Sequence, residues 1–430
     1  MSPELVGVLA IVGLFILLFL RVPIAFALGF LSLLGFMLIL GKGPALVFAG
    51  VYPYSSIAVY TFTVVPLFIL LGHFASASGL AEDLFKTANK WVGGLPGGLV
   101  QGTILGATAL GAVSGSGVAS CAMVSKVTIP EMLRHGVDRK LAYGAVASAG
   151  TIAALIPPSV LMVIFGIVTE TSIGRLLIAG VIPGIVAGVN FMIFVYIRVK
   201  MNPRLALSIH GITWRERIVS LKGLWMTVTL AVLVLGGIYG GIFTPTEAGG
   251  VGAFGAFLLA IRRLTFNRFL ETLWETMKTT CMVFFIVVNA LIFGYIISVS
   301  GLPRILSEFF ATLSPAVLIA SIMILYVVLG FFLDMIAALF ITFPLFIPAL
   351  EAAGINFVWF GVLTVVTCEL GLVTPPLAMN LFVIKSVVRD AEMGEIIAGI
   401  WPFFLVMLFN LMLYILFPQL ALFLPERMMG

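Results

Sequence analysis

The chain of 430 residues is 62% hydrophobic and only 10% charged. A soluble domain averages about 25% charged residues, so a chain this apolar needs lipid as its solvent. Apolar runs of about 20 residues recur from end to end, and each is long enough to cross a hydrocarbon core of about 30 Å. The sequence therefore predicts an all-α polytopic membrane protein, and it lacks the short alternating segments of a β-barrel.

Charge and cysteine content narrow the function classes further. The net charge of +5 comes from lysine and arginine in the predicted loops, so it does not indicate a nucleic-acid partner. The three cysteines are scattered and show neither metal-ligand spacing nor a disulfide framework. No nucleophile–base pair, P-loop or metal-ligand cluster is visible in the sequence. We therefore predict that the protein is not an enzyme and that it depends on an ion gradient or a partner.

Residues 1–90 are predicted to form scaffold helices. The first apolar run, from Leu5 to Leu20, follows no basic segment and precedes no small-residue cleavage site, so we interpret it as a retained helix. The proline of Arg21-Val22-Pro23 ends this run. Two further apolar spans cover 24–40 and 64–77, and a charged surface helix is predicted at 82–91.

The segment Ser114-Gly115-Ser116-Gly117 separates two apolar arms that are too short to span a bilayer singly. We interpret these arms as a re-entrant hairpin, within a hairpin and broken-helix region at 100–170. Downstream, an apolar span stops at Pro157-Pro158 and then resumes. Each proline removes a backbone donor, so the pair is expected to open the helix and free carbonyl groups. Close helix packing through small residues and a simple proline kink are the alternatives.

The second half of the chain repeats this pattern. Pro157 and Pro375 are separated by the same spacing as Ser116 and Asp334, and we call this spacing the repeat offset. A duplication at one spacing predicts two structural repeats. The predicted units are a first repeat at 1–200, an amphipathic cytoplasmic connector at 201–222 and a second repeat at 223–430, which has scaffold helices at 223–310 and a hairpin and broken helix at 320–390.

Positive charge predicts the orientation of the repeats. The basic connector and the cluster at Arg262, Arg263 and Arg268 flank a pair of spans, so both lie on the side that the positive-inside rule makes cytoplasmic. If the turn at Arg21 is cytoplasmic as well, the halves have opposite topology and the N-terminus is periplasmic. The predicted fold class is therefore two inverted repeats with re-entrant helical hairpins and broken helices, an arrangement typical of secondary transporters.

The broken helices supply groups that can bind ions. Freed carbonyls and hydroxyls are hard oxygen ligands that suit Na⁺, while helix N-termini facing the same gap offer N–H groups to an anion. We therefore predict two cation sites that flank one substrate site. Glu247 and Glu369 also lie among apolar residues, and for each the sequence leaves open a structural hydrogen bond or a role in a site.

These motifs resemble those of the large membrane subunit of tripartite ATP-independent periplasmic (TRAP) transporters. The matching segments are Ser114-Gly115-Ser116-Gly117, Ile129-Pro130-Glu131-Met132, Ala149-Gly150-Thr151, Ile156-Pro157-Pro158-Ser159, Thr244-Pro245-Thr246-Glu247-Ala248, Gly371-Leu372-Val373-Thr374-Pro375-Pro376 and Asn380-Leu381-Phe382. The resemblance covers essentially the whole chain. It implies an elevator-type fold with a scaffold and a transport domain, which takes up an organic acid with Na⁺ across the bacterial cytoplasmic (inner) membrane.

The resemblance also implies partners and site residues. The partners are a small four-helix membrane subunit, expected here as a separate polypeptide, and a periplasmic substrate-binding protein. The first sodium site would comprise Ser114, Gly115, Ser116, Gly150 and Ala153. The second would comprise Asp334, Thr367, Gly371 and Thr374. The substrate would bind at Ser116, Pro158, Ser159, Pro376 and Asn380. Na⁺ is expected as the coupling ion, with no other metal and no cofactor.

Two other interpretations remain at this point. One is a stand-alone sodium/carboxylate carrier of similar fold, which would need no small helical partner. The other is an intramembrane enzyme or a structural membrane protein, and the missing nucleophile–base pair argues against the enzyme. The substrate is left open among C4-dicarboxylates, sialic acid, sulfonates and keto acids, because specificity would come partly from the binding protein.

Overall fold

The computed structural model describes residues 2–208, 211–310, 312–331, 333, 335–375 and 378–429. Within these ranges every regular element is a helix. A helix pairs its backbone N–H and C=O groups inside one segment, which a lipid environment requires. The all-α prediction is therefore confirmed for the part of the chain that the structure describes.

The described residues of the first half form eleven α-helices, and a short 3₁₀ turn at Tyr60–Thr63 leads into the fourth. They are α1 (Pro3–Phe19), α2 (Ile24–Leu40), α3 (Lys42–Ile57), α4 (Val64–Ala77), α5 (Leu80–Val92), α6 (Gly98–Ser114), α7 (Gly117–Arg134), α8 (Arg139–Ile152), α9 (Val160–Val168), α10 (Ile173–Ala179) and α11 (Val181–Met201).

The connector and the second half continue the helical order, with 3₁₀ turns at Pro203–Leu205 and Leu221–Leu224 and a π-helical turn at Val232–Gly236. The helices are α12 (Trp214–Ser220), α13 (Trp225–Ala231), α14 (Gly237–Tyr239), α15 (Pro245–Ala260), α16 (Phe266–Val299), α17 (Leu302–Phe310), α18 (Pro315–Gly330), α19 (Met335–Ala352), α20 (Phe357–Val373), α21 (Met379–Val387), α22 (Met393–Leu416) and α23 (Gln419–Met429).

Six helical stretches of the described residues are long and apolar enough to cross a membrane. They are Tyr60–Ala77, Ile173–Met201, Trp214–Tyr239, Phe266–Val299, Met335–Ala352 and Met393–Leu416. Five shorter apolar helices accompany them, including both arms that precede a predicted hairpin tip, Gly98–Ser114 and Pro315–Gly330. The polytopic membrane class predicted from composition is confirmed by these lengths.

Two helices of the first half pack against two helices of the second half in a reciprocal arrangement. Helix α2 packs against α16, and α4 packs against α15. When Pro23 is aligned with Pro245, α2 falls on α15 and α4 falls on the last turns of α16. A two-fold relation between equivalent units generates this kind of reciprocal pairing. The duplicated sequence pattern therefore corresponds to a structural pairing between the halves.

Glu247, whose role the sequence left open, caps helix α15. One of its carboxylate oxygens accepts hydrogen bonds from the Thr244 backbone N–H at 2.8 Å and from the Thr244 hydroxyl at 2.9 Å. The Thr244 hydroxyl in turn accepts from the Glu247 N–H, which completes a capping box. Glu247 thus makes the structural hydrogen bond rather than lining a buried site.

The polar segment between the halves is partly helical. Helix α11 continues through Arg198 and Lys200 and ends at Met201, and the connector predicted at 201–222 contains a 3₁₀ turn at Pro203–Leu205 before α12. Trp214 lies exposed at the start of α12, and Arg217 stacks over its ring at 4.9 Å. The Thr87 hydroxyl donates to the Ser220 carbonyl at 2.9 Å, which fastens the connector to α5.

Candidate functional site

The first hairpin turns at Gly115 and Ser116, between α6 and α7. Gly115 has a φ of +66°, a conformation that favours glycine because it has no Cβ. The hydroxyls of Ser114 and Ser120 lie 2.6 Å apart, and the Ser116 carbonyl accepts from the Ser120 N–H at 2.9 Å. Ser116 also caps α7 by accepting from the Ala119 N–H at 3.4 Å. Several hydroxyl and carbonyl oxygens therefore converge on the tip.

The first broken helix opens where α8 meets Pro157-Pro158. A proline cannot donate to the carbonyl four residues earlier, so Pro157 releases the carbonyl of Ala153 and Pro158 releases that of Ala154. The Ser159 hydroxyl takes the second of these by donating to the Ala154 carbonyl at 2.5 Å. Ser159 also caps α9 by accepting from the Met162 N–H at 3.2 Å. Both carbonyls thus lack their helical donor, and the Ser159 hydroxyl replaces it for Ala154 only.

Hairpin and broken helix meet at one buried junction. The Val160 N–H donates to the Gly115 carbonyl at 3.2 Å, and Gly115 lies against the Pro158 carbonyl. One turn away, a Cβ on Gly111 would lie 3.0 Å from the Ala153 Cα. Gly150 packs as closely on α7, because its Cβ would lie 2.7 Å from the Cβ of Cys121. The five residues predicted for the first sodium site thus lie around this junction, and their binding of an ion stays a prediction.

The second junction is described in part, because Asp334 and Pro376 lie outside the described residues. Gly371 packs against Gly330, and a Cβ on Gly371 would lie 2.7 Å from the Gly330 Cα. Pro375 releases the Gly371 carbonyl, which accepts from the Thr374 N–H at 3.2 Å. Glycine at both contacting positions lets α18 approach the end of α20 backbone to backbone, as the small residues of membrane helices often do.

The threonine hydroxyls of the second predicted site are held by their own helix. Thr367 donates to the Leu363 carbonyl at 2.7 Å, and Thr374 donates to the Leu370 carbonyl at 2.6 Å. The Thr367 hydroxyl oxygen also lies 3.0 Å from the Met323 sulfur of α18. Both side chains are buried. With their protons committed to backbone carbonyls, the hydroxyl oxygens keep lone pairs for a cation. Thr367 and Gly371 lie one turn apart on α20, and Thr374 is the residue that follows this helix. That these residues bind an ion stays a prediction.

Asn380 connects the second half to the first. Its side-chain amide donates to the Ala147 carbonyl of α8 at 3.2 Å. The Cys121 thiol of α7 donates to the Asn380 backbone carbonyl at 3.6 Å. The Asn380 amide oxygen is buried and has no hydrogen-bond partner among the described residues. Of the predicted substrate residues, Pro158 and Asn380 both contact α7 or its tip, whereas the Ser159 hydroxyl is engaged in capping.

Sequence reasoning did not find the contact that Glu369 makes across the halves. A Cβ on Gly117 would lie 2.6 Å from one carboxylate oxygen of Glu369 and 2.7 Å from the other. Gly117 is the first residue of α7, and Glu369 lies within α20. The only sequence signal was an acidic residue among apolar ones, and pattern alone cannot show which distant helix such a residue contacts.

The described residues contain no group of three histidine, cysteine or acidic side chains that could hold a metal ion. The oxygen atoms at the junctions come instead from hydroxyls and carbonyls. Hard oxygen ligands of this kind suit alkali and alkaline-earth ions, whereas soft transition metals need imidazole or thiolate. Which ion the two junctions bind stays a prediction.

A solved transporter shares this fold. The crystal structure of the YdaH transporter of Alcanivorax borkumensis aligns over 97% of this chain and 98% of that chain, with a TM-score of 0.57 and 16% sequence identity. At such low identity the likeness establishes the fold and leaves the substrate open. The chain therefore has the same polytopic helical fold as that protein.

Sequence relatives define the family. Residues 11–420 match the family described as the tripartite ATP-independent periplasmic transporter, DctM component. The chain is 34% identical to the sialic acid TRAP transporter large permease protein SiaM of Vibrio cholerae, over 96% of this chain and 97% of that protein. It is 36% identical to the C4-dicarboxylate TRAP transporter large permease protein DctM of Pseudomonas aeruginosa, over 85% and 86%. The chain belongs to the large permease family of TRAP transporters, whose members are transport proteins and not enzymes.

Proposed function

We propose that the chain is the ion-coupled permease subunit of a TRAP transporter that imports an anionic organic acid. The observation that carries this proposal is the pair of hairpin and broken-helix junctions, one in each half, inside a chain of this family. Relatives named for sialic acid and C4-dicarboxylates support a carboxylate substrate. A sulfonate or keto acid presents the same anionic oxygens and fits the same chemistry.

Sodium is the proposed coupling ion. The oxygens at the first junction belong to Ser114, Ser116 and Ala153, and those at the second to Thr367, Gly371 and Thr374. A bare monovalent cation replaces its hydration shell with such oxygens, and the duplicated arrangement supplies two candidate positions. Asp334, which lies opposite Ser116 in the sequence alignment of the halves, would add charge to the second position only.

The anionic substrate is proposed to lie between these cation positions. Helix α9 begins at Val160 and α21 begins at Met379, each shortly after a Pro-Pro pair. The N-termini of these helices, together with that of α7 at Gly117, carry N–H groups and partial positive charge that stabilise a carboxylate or sulfonate. Ser116, Pro158, Ser159, Pro376 and Asn380 remain the proposed substrate residues.

An elevator movement is proposed for the hairpin and broken-helix regions at 100–170 and 320–390. Contacts of α9 with α19 and α20 and of α7 with α21 join the two regions into one unit. Contacts of α4 with α9 and of α16 with α19 lie between that unit and the scaffold helices at 1–90 and 223–310. Movement of the unit against the scaffold would carry the bound ions and substrate across the membrane.

The proposal also includes two partner proteins and the location of the complex. A small four-helix membrane subunit would assemble with the chain, and a periplasmic binding protein would deliver the substrate. The complex would lie in the bacterial cytoplasmic membrane with the N-terminus of this chain on the periplasmic side. The family name describes a tripartite transporter, which supports the need for two additional components.

The coupling is tested in proteoliposomes that contain the chain and its small subunit. Labelled substrate, presented by the cognate binding protein, should accumulate only when a Na⁺ gradient is directed inward. Equal accumulation with choline or K⁺ in place of Na⁺ would contradict sodium coupling. Uptake of free substrate without the binding protein would instead favour the alternative, a stand-alone sodium/carboxylate carrier.

The elevator movement is tested by a reversible cross-link between α16 and α19. A Cβ on Gly294 would lie 3.3 Å from the Pro344 ring, so these two contacting positions are chosen for the cysteine pair. In a background that lacks the native cysteines, oxidation of Gly294→Cys/Pro344→Cys should stop uptake, and a reductant should restore it. Full uptake by the cross-linked protein would rule out sliding at this interface.

A further inference from the structure

Glu369 is a buried carboxyl group that no described side chain or backbone group satisfies. Its residue is 2% exposed, and neither of its carboxylate oxygens has a hydrogen-bond partner among the described residues. An isolated carboxylate in apolar surroundings is strongly unfavourable, so a buried group of this kind either carries a proton or pairs with a ligand or another charge. The structure therefore raises the question of what pairs with Glu369.

A small cavity adjoins this carboxyl group. Its volume of about 20 Å³ is enough for one water-sized body. The walls come from α8, α11, α20 and α22, so the cavity lies between the broken helices of both halves. Its polar lining residues are Thr151, Glu369, Asn410 and Tyr414. Among the described residues that line the cavity, Glu369 is the only aspartate, glutamate, histidine, lysine or arginine.

The other polar side chains of the cavity present oxygen lone pairs. The Thr151 hydroxyl donates its proton to the Ser148 carbonyl at 2.6 Å, and the Tyr414 hydroxyl donates to the Pro183 carbonyl at 2.7 Å. The Asn410 amide oxygen accepts from the Asn190 amide at 2.6 Å and keeps a second lone pair. Since both hydroxyl protons are committed elsewhere, the oxygens are free to accept but not to donate.

We propose that Glu369 and this cavity form a binding site for one dehydrated monovalent cation, separate from the two hairpin junctions. One carboxylate balances one positive charge, and neutral oxygens from two other helices replace water around the ion. The small volume excludes a hydrated ion and an organic substrate. The inference rests on the proposed function, which it extends from two coupling ions to three.

A cation bound at this site would affect the structure of both junctions. Glu369 lies on α20 midway between Thr367 and Gly371, and its carboxylate contacts Gly117 beside the first hairpin tip. A Cβ at position 117 would displace the carboxylate oxygens from this place. A cation held by Glu369 would therefore fix the distance between the first hairpin and the second broken helix.

The test counts sodium ions bound to the purified complex of the chain with its small subunit. Radioactive Na⁺ is titrated at constant ionic strength with choline, and Na⁺-dependent thermal stabilisation is followed in parallel. Glu369→Gln should bind one ion fewer than the wild type and show a shallower dependence on Na⁺ concentration. Tyr414→Phe keeps the charge but removes one oxygen, so it should keep the ion count and need about tenfold more Na⁺.

Thr364→Val is the matched control. Thr364 is buried on the same helix, and its hydroxyl donates to the Phe360 carbonyl in that helix, so the variant should bind Na⁺ like the wild type. Glutamine has the shape of a protonated glutamate. A wild-type ion count in Glu369→Gln would therefore show that the carboxyl holds no cation, and it would overturn this inference alone. A wild-type complex that binds no Na⁺ at all would overturn the proposed coupling as well.

Discussion

Gly330 and Gly371 touch through their main chains, with the Cβ that Gly371 lacks falling 2.7 Å from the Gly330 Cα. The first half makes a similar contact one residue away from the matching position, where a Cβ on Gly111 would lie 3.0 Å from the Ala153 Cα. Ala153 corresponds to Gly371 at the repeat offset. The first junction thus accommodates one Cβ at this contact, and the second accommodates none.

Gly371→Ala is expected to destabilise the second junction. The new methyl group would meet backbone atoms that cannot rotate away, and overpacking of this kind costs about 1–3 kcal/mol. The melting temperature of the purified complex should fall, and Na⁺-driven uptake should fall with it. Gly394→Ala is the control, because nothing lies within 4 Å of a Cβ at that position. Equal melting temperatures for both variants would contradict the close packing.

Removal of hydroxyls at the first hairpin tip is expected to weaken Na⁺ binding. Ser114→Ala and Ser116→Ala each remove an oxygen from the proposed first sodium site, and each should raise the Na⁺ concentration for half-maximal uptake about tenfold. The maximal rate should change less than this concentration. The measurement is the initial uptake rate as a function of external Na⁺.

Ser125→Ala controls for the loss of a buried hydroxyl on the same hairpin. The Ser125 hydroxyl donates to the Cys121 carbonyl at 2.6 Å inside α7, away from the tip. This variant should keep the wild-type dependence on Na⁺. An unchanged dependence in Ser114→Ala and Ser116→Ala would move the first sodium site away from the tip.

Ser159→Ala is expected to destabilise the first broken helix. The variant leaves the buried Ala154 carbonyl without its donor and removes the cap of α9, and an unsatisfied buried polar group costs about 1–3 kcal/mol. Thermal unfolding of the complex measures the loss. In the control Ser148→Ala, the lost hydrogen bond runs to the Gly144 carbonyl within an intact helix, so the melting temperature should change little. A larger loss in the control would show that the freed carbonyl is not the cause.

Acid is expected to loosen the start of α12 in the polar connector, ahead of the apolar residues that follow Leu224. The backbone N–H and the hydroxyl of Thr213 donate to Glu216 and hold the pKa of that carboxyl below its ordinary value. A lowered pKa in the folded state means that the ionised cap stabilises the helix above the ordinary glutamate pKa of about 4.3. That contribution is lost as the pH falls through the lowered value.

Hydrogen exchange of residues 214–220 measures this effect. Exchange should rise relative to neutral pH as the medium approaches the pKa of Glu216, after correction for the intrinsic pH dependence of exchange. Glu216→Gln should exchange faster at neutral pH and lose most of the acid response. If Glu216→Gln showed the same rise in exchange at acid pH, the rise would come from titratable groups other than Glu216.

The breaks in the helices follow from local chemistry, and the sequence predicts them well. Pro157 removes a donor wherever it lies, and a glycine between two serines predicts the turn at Gly115. The repeat offset similarly predicts a second junction around Gly371. The capping role of Glu247 has a local signal as well, since Thr244 precedes it by one helical turn.

Contacts between the halves could not be predicted in this way. The approach of Glu369 to Gly117 and the bond from Asn380 to the Ala147 carbonyl join residues from opposite halves of the chain. Such pairs depend on how whole helices are placed, and neither hydrophobic period nor residue spacing encodes that placement. The engagement of the Ser159 hydroxyl with the Ala154 carbonyl is local, but it required the path of the backbone after Pro158.

The exchange of partners between α2 and α16 and between α4 and α15 has a consequence for biogenesis. When the ribosome has delivered only the first half to the membrane, the faces of α2 and α4 that later meet the second half have no protein partner. The scaffold therefore cannot mature in order of synthesis, and the early helices must wait in lipid or on the insertion machinery until Val299 has been added. If the chain were divided at the connector and the two halves were expressed separately, α2 and α4 would still need the second half. The two halves would then have to associate in the membrane without a covalent link.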